Sequence, residues 1–225
     1  MNEGSEREST LRSEICKAAR RMYEAGFCPA NSGNISARLG EDAYLITPSG
    51  VCKDDLTEDA IVKINGRCET LDGRGKASSE ARVHIYCYTH RPDVMGVCHS
   101  HAPYATALAC MDTKLDRYIT PDQVYYLGAV PRCAYQFCGT QAVADSMAPY
   151  MQKYSALLLG SHGTVTVGDS VMDAFYRLEA LEQFAKIYCI TNALGGAREF
   201  TAAEADAMFD DIAESGMIHP GNVRF

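Results

Sequence analysis

The stretch V-M-G-V-C-H-S-H-A-P-Y, residues 94–104, limits the folds open to this chain more than any other part of it. An apolar run leads into His99 and His101, and Pro103 follows two residues later. A strand turns successive side chains to opposite faces, so residues two apart share a face. Read as a strand from Val94 to His101, the run sets both imidazoles on one face, with Cα atoms about 6.6 Å apart. Side chains at that spacing can converge on one ion lying about 2.1 Å from each ring nitrogen. Cys98 then points to the other face and is not counted as a ligand. Proline suits the first turn of a helix, so a helix is expected from Pro103.

A third histidine, His162, lies in L-L-L-G-S-H-G after another apolar run, and Glu80 lies upstream in A-S-S-E-A-R. Three histidines and a carboxylate are a complete tetrahedral donor set for zinc. Spacing alone brings neither His162 nor Glu80 to the pair. An isolated H-x-H is also common by chance, so a hydrogen-bonded structural role stands beside ligation at this point.

The rest of the chain supplies elements for such a strand to sit among. Leu11, Ile15, Ala18, Ala19 and Met22 keep helical spacing and predict a helix over 10–26, stopped by Gly26. N-S-G-N-I-S-A-R (31–38) enters a strand, and A-Y-L-I-T-P-S-G (43–50) forms another, ended by Pro48 and Gly50. I-V-K-I-N-G-R-C-E-T (61–70) reads as a hairpin turning at Asn65-Gly66. Residues 79–90 carry a helical pattern that stops before Arg91-Pro92. A-L-L-L-G-S-H-G-T-V-T-V-G (156–168) reads as two strands meeting at Gly160–Gly163. Helices over about 170–194 and 201–215 complete the chain. Helices and hairpins interleave irregularly, which predicts an α/β fold: a central mixed sheet covered by helices, in a single domain over 1–225.

Composition narrows the function. A net charge of −8 and a pI of about 5.2 argue against a nucleic-acid partner, and an anionic substrate must be held by local groups against the overall field. No apolar segment approaches the roughly 18 residues of a membrane span, and the polar start M-N-E-G-S-E-R-E-S-T does not resemble a signal peptide. A cytoplasmic location is expected. The ten cysteines contain no C-x-x-C and are expected to be free, mostly buried thiols.

Three loops suit a phosphate. N-S-G-N (31–34) combines a glycine turn with an asparagine donor, T-P-S-G (47–50) a hydroxyl with a glycine, and Ser78-Ser79 sits where the expected helix begins. Each alone is ordinary turn or cap chemistry. Together with the metal set they fit a small phosphorylated substrate.

These motifs, in order, resemble the class II aldolase/adducin family, nearest its fuculose phosphate aldolase branch. The resemblance runs from G-N-I-S (33–36) through I-T-P-S-G, S-S-E and H-S-H-A to L-L-L-G-S-H-G (157–163). It implies a central, mainly antiparallel sheet flanked by helices, and a homotetramer with sites at subunit interfaces. It implies one Zn2+ per subunit on His99, His101 and His162, with Glu80 closing the resting shell and then swinging off as acid/base. Gly33, Asn34, Ser49, Gly50, Ser78 and Ser79 match positions that hold the substrate phosphate. The implied reaction is retro-aldol cleavage of a ketose 1-phosphate, such as L-fuculose 1-phosphate, to dihydroxyacetone phosphate and an aldehyde.

Departures qualify that reading. The fuculose enzymes protonate the leaving aldehyde with a tyrosine from a neighbouring subunit, where an ungapped reading here meets Thr120, with Tyr118, Tyr125 and Tyr126 nearby. The tail H-P-G-N-V-R-F (219–225) lacks the tyrosine that closes over their site. Rivals within the fold are a sugar phosphate epimerase, a decarboxylase and a dehydratase. Epimerases typically carry Asp where Glu80 stands, and release of dihydroxyacetone phosphate is expected to mark the aldolase alone. A non-catalytic, adducin-like binding protein is the rival from another class, against which the intact histidines speak. His84 and His90 are expected to pack or cap, and Arg177, Glu179, Glu182 and Lys186 to form a solvated or interface face of the long helix.

Overall fold

Short apolar runs broken by glycine and proline fold, in the computed structural model, into eight strands of one sheet. The structure describes residues 3–112, 115 and 117–215. The strands are β1 (Asn34–Gly40), β2 (Ala43–Ile46), β3 (Val62–Ile64), β4 (Thr70–Asp72), β5 (Gly96–Ser100), β6 (Arg132–Cys133), β7 (Ala156–Leu159) and β8 (Gly163–Gly168). Their order is β4-β3-β2-β1-β5-β8-β7-β6, and every pair is antiparallel except β6 with β7. The helices are α1 (Glu3–Glu24), α2 (Ala81–His90), α3 (Pro103–Cys110), α4 (Pro121–Tyr126), α5 (Gln141–Ser146), α6 (Val171–Ala193) and α7 (Ala202–Ser215). The expected α/β class, a mainly antiparallel mixed sheet between helices, is the observed one.

The period of two divides the inner strands between two cores. Ile35, Ala37, Leu45, Cys98, Ala156 and Leu158 pack with α1, α3 and α6, while Tyr44, Ile46, Val97, Leu157, Leu159, Val165 and Val167 pack with α2 and α5. Cys98 and His99 therefore lie on opposite faces, as expected. Because β5 is central, Asn34 of β1 stands opposite His99, and Val165 of β8 stands opposite it on the other side. Register alone thus places residues from three strands around one histidine.

Differences from expectation have local causes. Helix α1 begins nearly two turns earlier than predicted, held by the Glu8 carboxylate between Arg12 at 2.7 Å and Lys63 at 2.7 Å. Strand β5 ends at Ser100, so His101 leaves the sheet and its N–H donates to the Phe27 carbonyl. The short elements α4, β6 and α5 carry too few residues to show a period. No described helix is long and apolar enough to cross a membrane, and all ten cysteines are free.

Candidate functional site

His99, 1 % exposed, projects from β5 toward α2, and its Nδ1–H donates to the Thr164 carbonyl at 2.8 Å. That bond sets the tautomer and turns the Nε2 lone pair inward. His101 brings its own Nε2 to 3.2 Å from that atom. His162 comes from the β7–β8 turn, where its N–H donates to the Leu159 carbonyl, and Gly163, with no room for a Cβ beside the Ser100 carbonyl, lets the turn approach β5. One nitrogen from each of the three rings lies within 4.8 Å of the others.

Glu80 stands at the N-cap position of α2. Its Oε2 is 2.9 Å from His99 Nε2, and its Oε1 is 3.1 Å from His162 Nε2. Burial raises the Glu80 pKa, but His99 and His162 outweigh it and hold the carboxyl well below the usual range. His99 shows the reciprocal effect: burial lowers its pKa, and the Glu80 carboxylate more than restores it. Burial and the neighbouring His99 and His162 push His101 down to about 4.

The donor set fits a divalent cation. Glu80 Oε1 and His162 Nδ1 are buried without a hydrogen-bond partner, and unpartnered buried polar atoms are rare in folded proteins. Imidazole lone pairs and a carboxylate crowded together repel unless a positive charge sits among them. Three histidine nitrogens with one carboxylate suit zinc by ligand type.

Asn34 connects this cluster to the interior. Its Nδ2 donates to Glu80 Oε2 at 3.0 Å, and its Oδ1 accepts from His84 Nε2. His84 Nδ1 then accepts from Ser36 Oγ at 2.6 Å, and Ser36 accepts from Tyr88 OH at 2.7 Å. Every donor in this chain points toward Glu80, which fixes the Asn34 amide and keeps His84 neutral. Burial, with His99 nearby, pushes His84 down to about 3. His84 is packed in the interior, as expected, and it also holds the residue that holds Glu80. His90 stacks on Tyr86 away from the cluster.

The expected phosphate positions meet the cluster in one cleft of about 430 Å³. Gly33, Asn34, Ser49, Gly50, Ser78 and Ser79 line it with Glu80, His101 and His162. Ser49 N donates to the Lys76 carbonyl and Ser78 N to the Thr47 carbonyl, which clamps those two loops side by side. Gly33 has φ +72°, and a Cβ there would sit 3.0 Å from Cys28 Cβ and 3.1 Å from the His99 carbonyl, so a side chain would be both strained and crowded.

Three cleft features escape sequence reasoning. Cys138 and Gly139 line it from a loop with no periodic signal. Lys53, buried behind the loops, belongs to no motif; its only clue in sequence is its place three residues after the S-G turn. The three tyrosines lie elsewhere in the same chain. Tyr118 is buried against Phe209, Tyr125 donates to Asp211 at 2.8 Å, and Tyr126 lines a separate groove with Tyr176. His219 and the 219–225 tail lie outside the described residues.

Two assignments on α6 need correction. Glu182 is 7 % exposed and Arg177 3 %. Glu182 accepts from the N–H groups of Tyr104 and Ala105, capping α3 immediately after His101. Arg177 pairs with Asp173 and donates to the Tyr126 carbonyl. The face is buried because α3 and α4 pack on it.

Comparison with known proteins extends this geometry. The family model for the class II aldolase and adducin N-terminal domain matches residues 13–189. The 3-oxo-tetronate 4-phosphate decarboxylase of Escherichia coli K12 is 31 % identical over 194 residues, covering 84 % of this chain and 91 % of that protein. The L-fuculose phosphate aldolase of Methanococcus maripaludis (strain DSM 14266) is 30 % identical over 183 residues, covering 80 % and 97 %. The crystal structure of YgbL from Klebsiella pneumoniae superposes with a TM-score of 0.83 at 30 % identity, covering 89 % of this chain and 98 % of that one.

Proposed function

The chain belongs to the class II aldolase and adducin family, and from that premise we propose that it is a divalent-metal-dependent carbon–carbon lyase acting on a small phosphorylated keto sugar or keto sugar acid. The observation that carries the proposal is the joining of three histidines and Glu80 to three hydroxyl- and glycine-bearing loops in one cleft. His99, His101 and His162 would hold the ion, Zn2+ by ligand type, with Glu80 beside it. Gly33, Asn34, Ser49, Gly50, Ser78 and Ser79 would hold the phosphate and fix the breaking bond against the metal side of the cleft.

Retro-aldol cleavage of a ketose 1-phosphate breaks the bond between the carbon beside the carbonyl and the next carbinol carbon; the carbinol hydroxyl gives up its proton as it becomes the aldehyde, and the electron pair of the broken bond remains as an enediolate. A bound divalent ion supplies Lewis-acid stabilisation of that charge. Glu80, kept ionised by its histidines, would take up the hydroxyl proton released in cleavage and return it to the carbon beside the carbonyl, or run that exchange in reverse. Asn34 and His84 hold it for that task.

Two relatives act on different substrates by their names, yet the chemistry converges. Loss of carbon dioxide from a 3-oxo-tetronate 4-phosphate leaves the same enediolate of dihydroxyacetone phosphate as cleavage of a ketulose 1-phosphate. The expectation that dihydroxyacetone phosphate marks the aldolase alone is therefore corrected: the co-product separates the two. Retro-aldol cleavage is the first reading. Decarboxylation is a second, favoured by the burial of Tyr118 and the engagement of the Tyr125 hydroxyl by Asp211, because carbon dioxide leaves from a carboxylate with no hydroxyl proton to be removed. Glu80 in place of Asp weighs against the epimerase, and the complete donor set against a non-catalytic binding role. A homotetramer in the cytoplasm, with no nucleic-acid or membrane partner, belongs to the same proposal.

The test is release of dihydroxyacetone phosphate from ketose 1-phosphates, including L-fuculose 1-phosphate, and from 3-oxo-tetronate 4-phosphate, with and without a chelator. Aldehyde and carbon dioxide are assayed in parallel. Chelator-sensitive release is expected; no release from any substrate by metal-loaded protein overturns the lyase.

A further inference from the structure

Lys53 is 2 % exposed, and its Nζ donates to the Val51 carbonyl at 3.0 Å and the Asn31 carbonyl at 3.3 Å. Those carbonyls belong to the two glycine loops of the cleft, one residue past Gly50 and two before Gly33. No carboxylate pairs with the ammonium among the described residues. A buried charge without a counter-ion is strongly unfavourable, and lysine is almost never fully buried unless paired. An ammonium also carries three donors, of which the two carbonyls use two.

The cleft itself poses the complementary problem. None of its described lining residues is a lysine or arginine, although a phosphate brings nearly two negative charges into a protein of net charge −8. Hydroxyls and backbone N–H groups can orient a phosphate, but they do not neutralise it. We propose that Lys53 is the counter-charge of the phosphate cleft, stapling the 31–34 and 48–51 loops from behind and drawing the anion into them. The substrate phosphate then serves as the missing partner of the buried ammonium. Lys53 is a positioning residue in this scheme, since it reaches the anion through the loops it ties. The assignment rests on the phosphate role proposed for those loops.

The experiment uses zinc-loaded protein with inorganic phosphate as the probe, following the thermal midpoint against chloride at matched ionic strength. Wild type is expected to gain stability with phosphate. Lys53→Gln keeps amide donors for both carbonyls but no charge, and Lys53→Met keeps neither. Both should weaken phosphate about tenfold or more, with zinc stoichiometry unchanged, and Lys53→Arg should restore most of the affinity. If Lys53→Gln binds phosphate as wild type does, the lysine is a neutral staple and the proposal is overturned. If wild type itself gains nothing from phosphate, the phosphate cleft is wrong and the assignment falls with it. Lys53→Gln decides the matter even if Lys53→Met fails to fold.

Discussion

Gly163 follows His162 and opens β8, where the β7–β8 turn meets β5. A Cβ built on it would lie 2.4 Å from the Ser100 carbonyl oxygen and 2.8 Å from His101 Cδ2. Such contacts are essentially never seen below 3.0 Å, so Gly163→Ala must push the Ser100 backbone away by about 0.6 Å, and the neighbouring His101 ring must move as well. Ser100 pairs with Thr164, so the strain falls on the strand that also carries His99. Metal–ligand distances tolerate only about ±0.2 Å, less than this shift. Overpacking of this kind costs about 1–3 kcal/mol, and in a chain of this size each kcal/mol lowers Tm by about 2–4 °C. Gly163→Ala should therefore fold, lose about 2–12 °C in metal-free Tm, and bind zinc about 10- to 100-fold more weakly in a chelator competition. A variant with wild-type Tm and zinc affinity within twofold would refute the claim that this glycine makes room for the histidine cluster.

His101→Ala should lose stoichiometric zinc and all cleavage activity while remaining folded; elemental analysis of the purified variant checks this, and retained zinc refutes the ligand set. Glu182→Ala removes both acceptors at the start of α3 and should cost about 2–4 kcal/mol, read as a fall in Tm; an unchanged Tm would mean the cap is dispensable. His84 makes metal-free stability pH-dependent. The unfolded chain binds a proton near pH 6.5 that the folded chain refuses until about pH 3, so this contribution is complete above 6.5 and erodes as pH falls through that window. His84→Gln should flatten the urea-midpoint profile between pH 4 and 6.5, and an unchanged slope would sink the assignment. Glu80→Gln should bind phosphate yet lose proton exchange beside the substrate carbonyl, measured by deuterium uptake; retained exchange identifies another base.

Much of the fold was legible because its signals are local. A short apolar run at 156–159 and an alternating run at 163–168, broken at Gly160–Gly163, determined strands and a turn from local signals alone. Pro103 determined where α3 begins, and Asn65-Gly66 where a hairpin turns. The residue types at 80, 99, 101 and 162 were chemically suggestive for the same reason: donor type is a property of the side chain. The short α4 and α5 were not legible, since six residues hold too little periodicity to distinguish a helix from a loop.

Tertiary structure alone decided what meets what. His99 and His162 are 63 positions apart in the chain, and Glu80 is 19 before His99; sheet register and the packing of α2 against it bring them within 3.1 Å of one carboxylate. Asn34 shows the limit most plainly. Its sequence context offered an amide donor for a phosphate beside a glycine turn, whereas its position opposite His99 on β1 engages that side-chain amide with Glu80 and His84. The charges on α6 and the lysine behind the loops were misread or missed because a charged residue looks the same in sequence whether solvated or buried. Burial belongs to what packs against a residue, and for Arg177, Glu182 and Lys53 those partners come from distant segments or from backbone carbonyls that no side-chain pattern encodes.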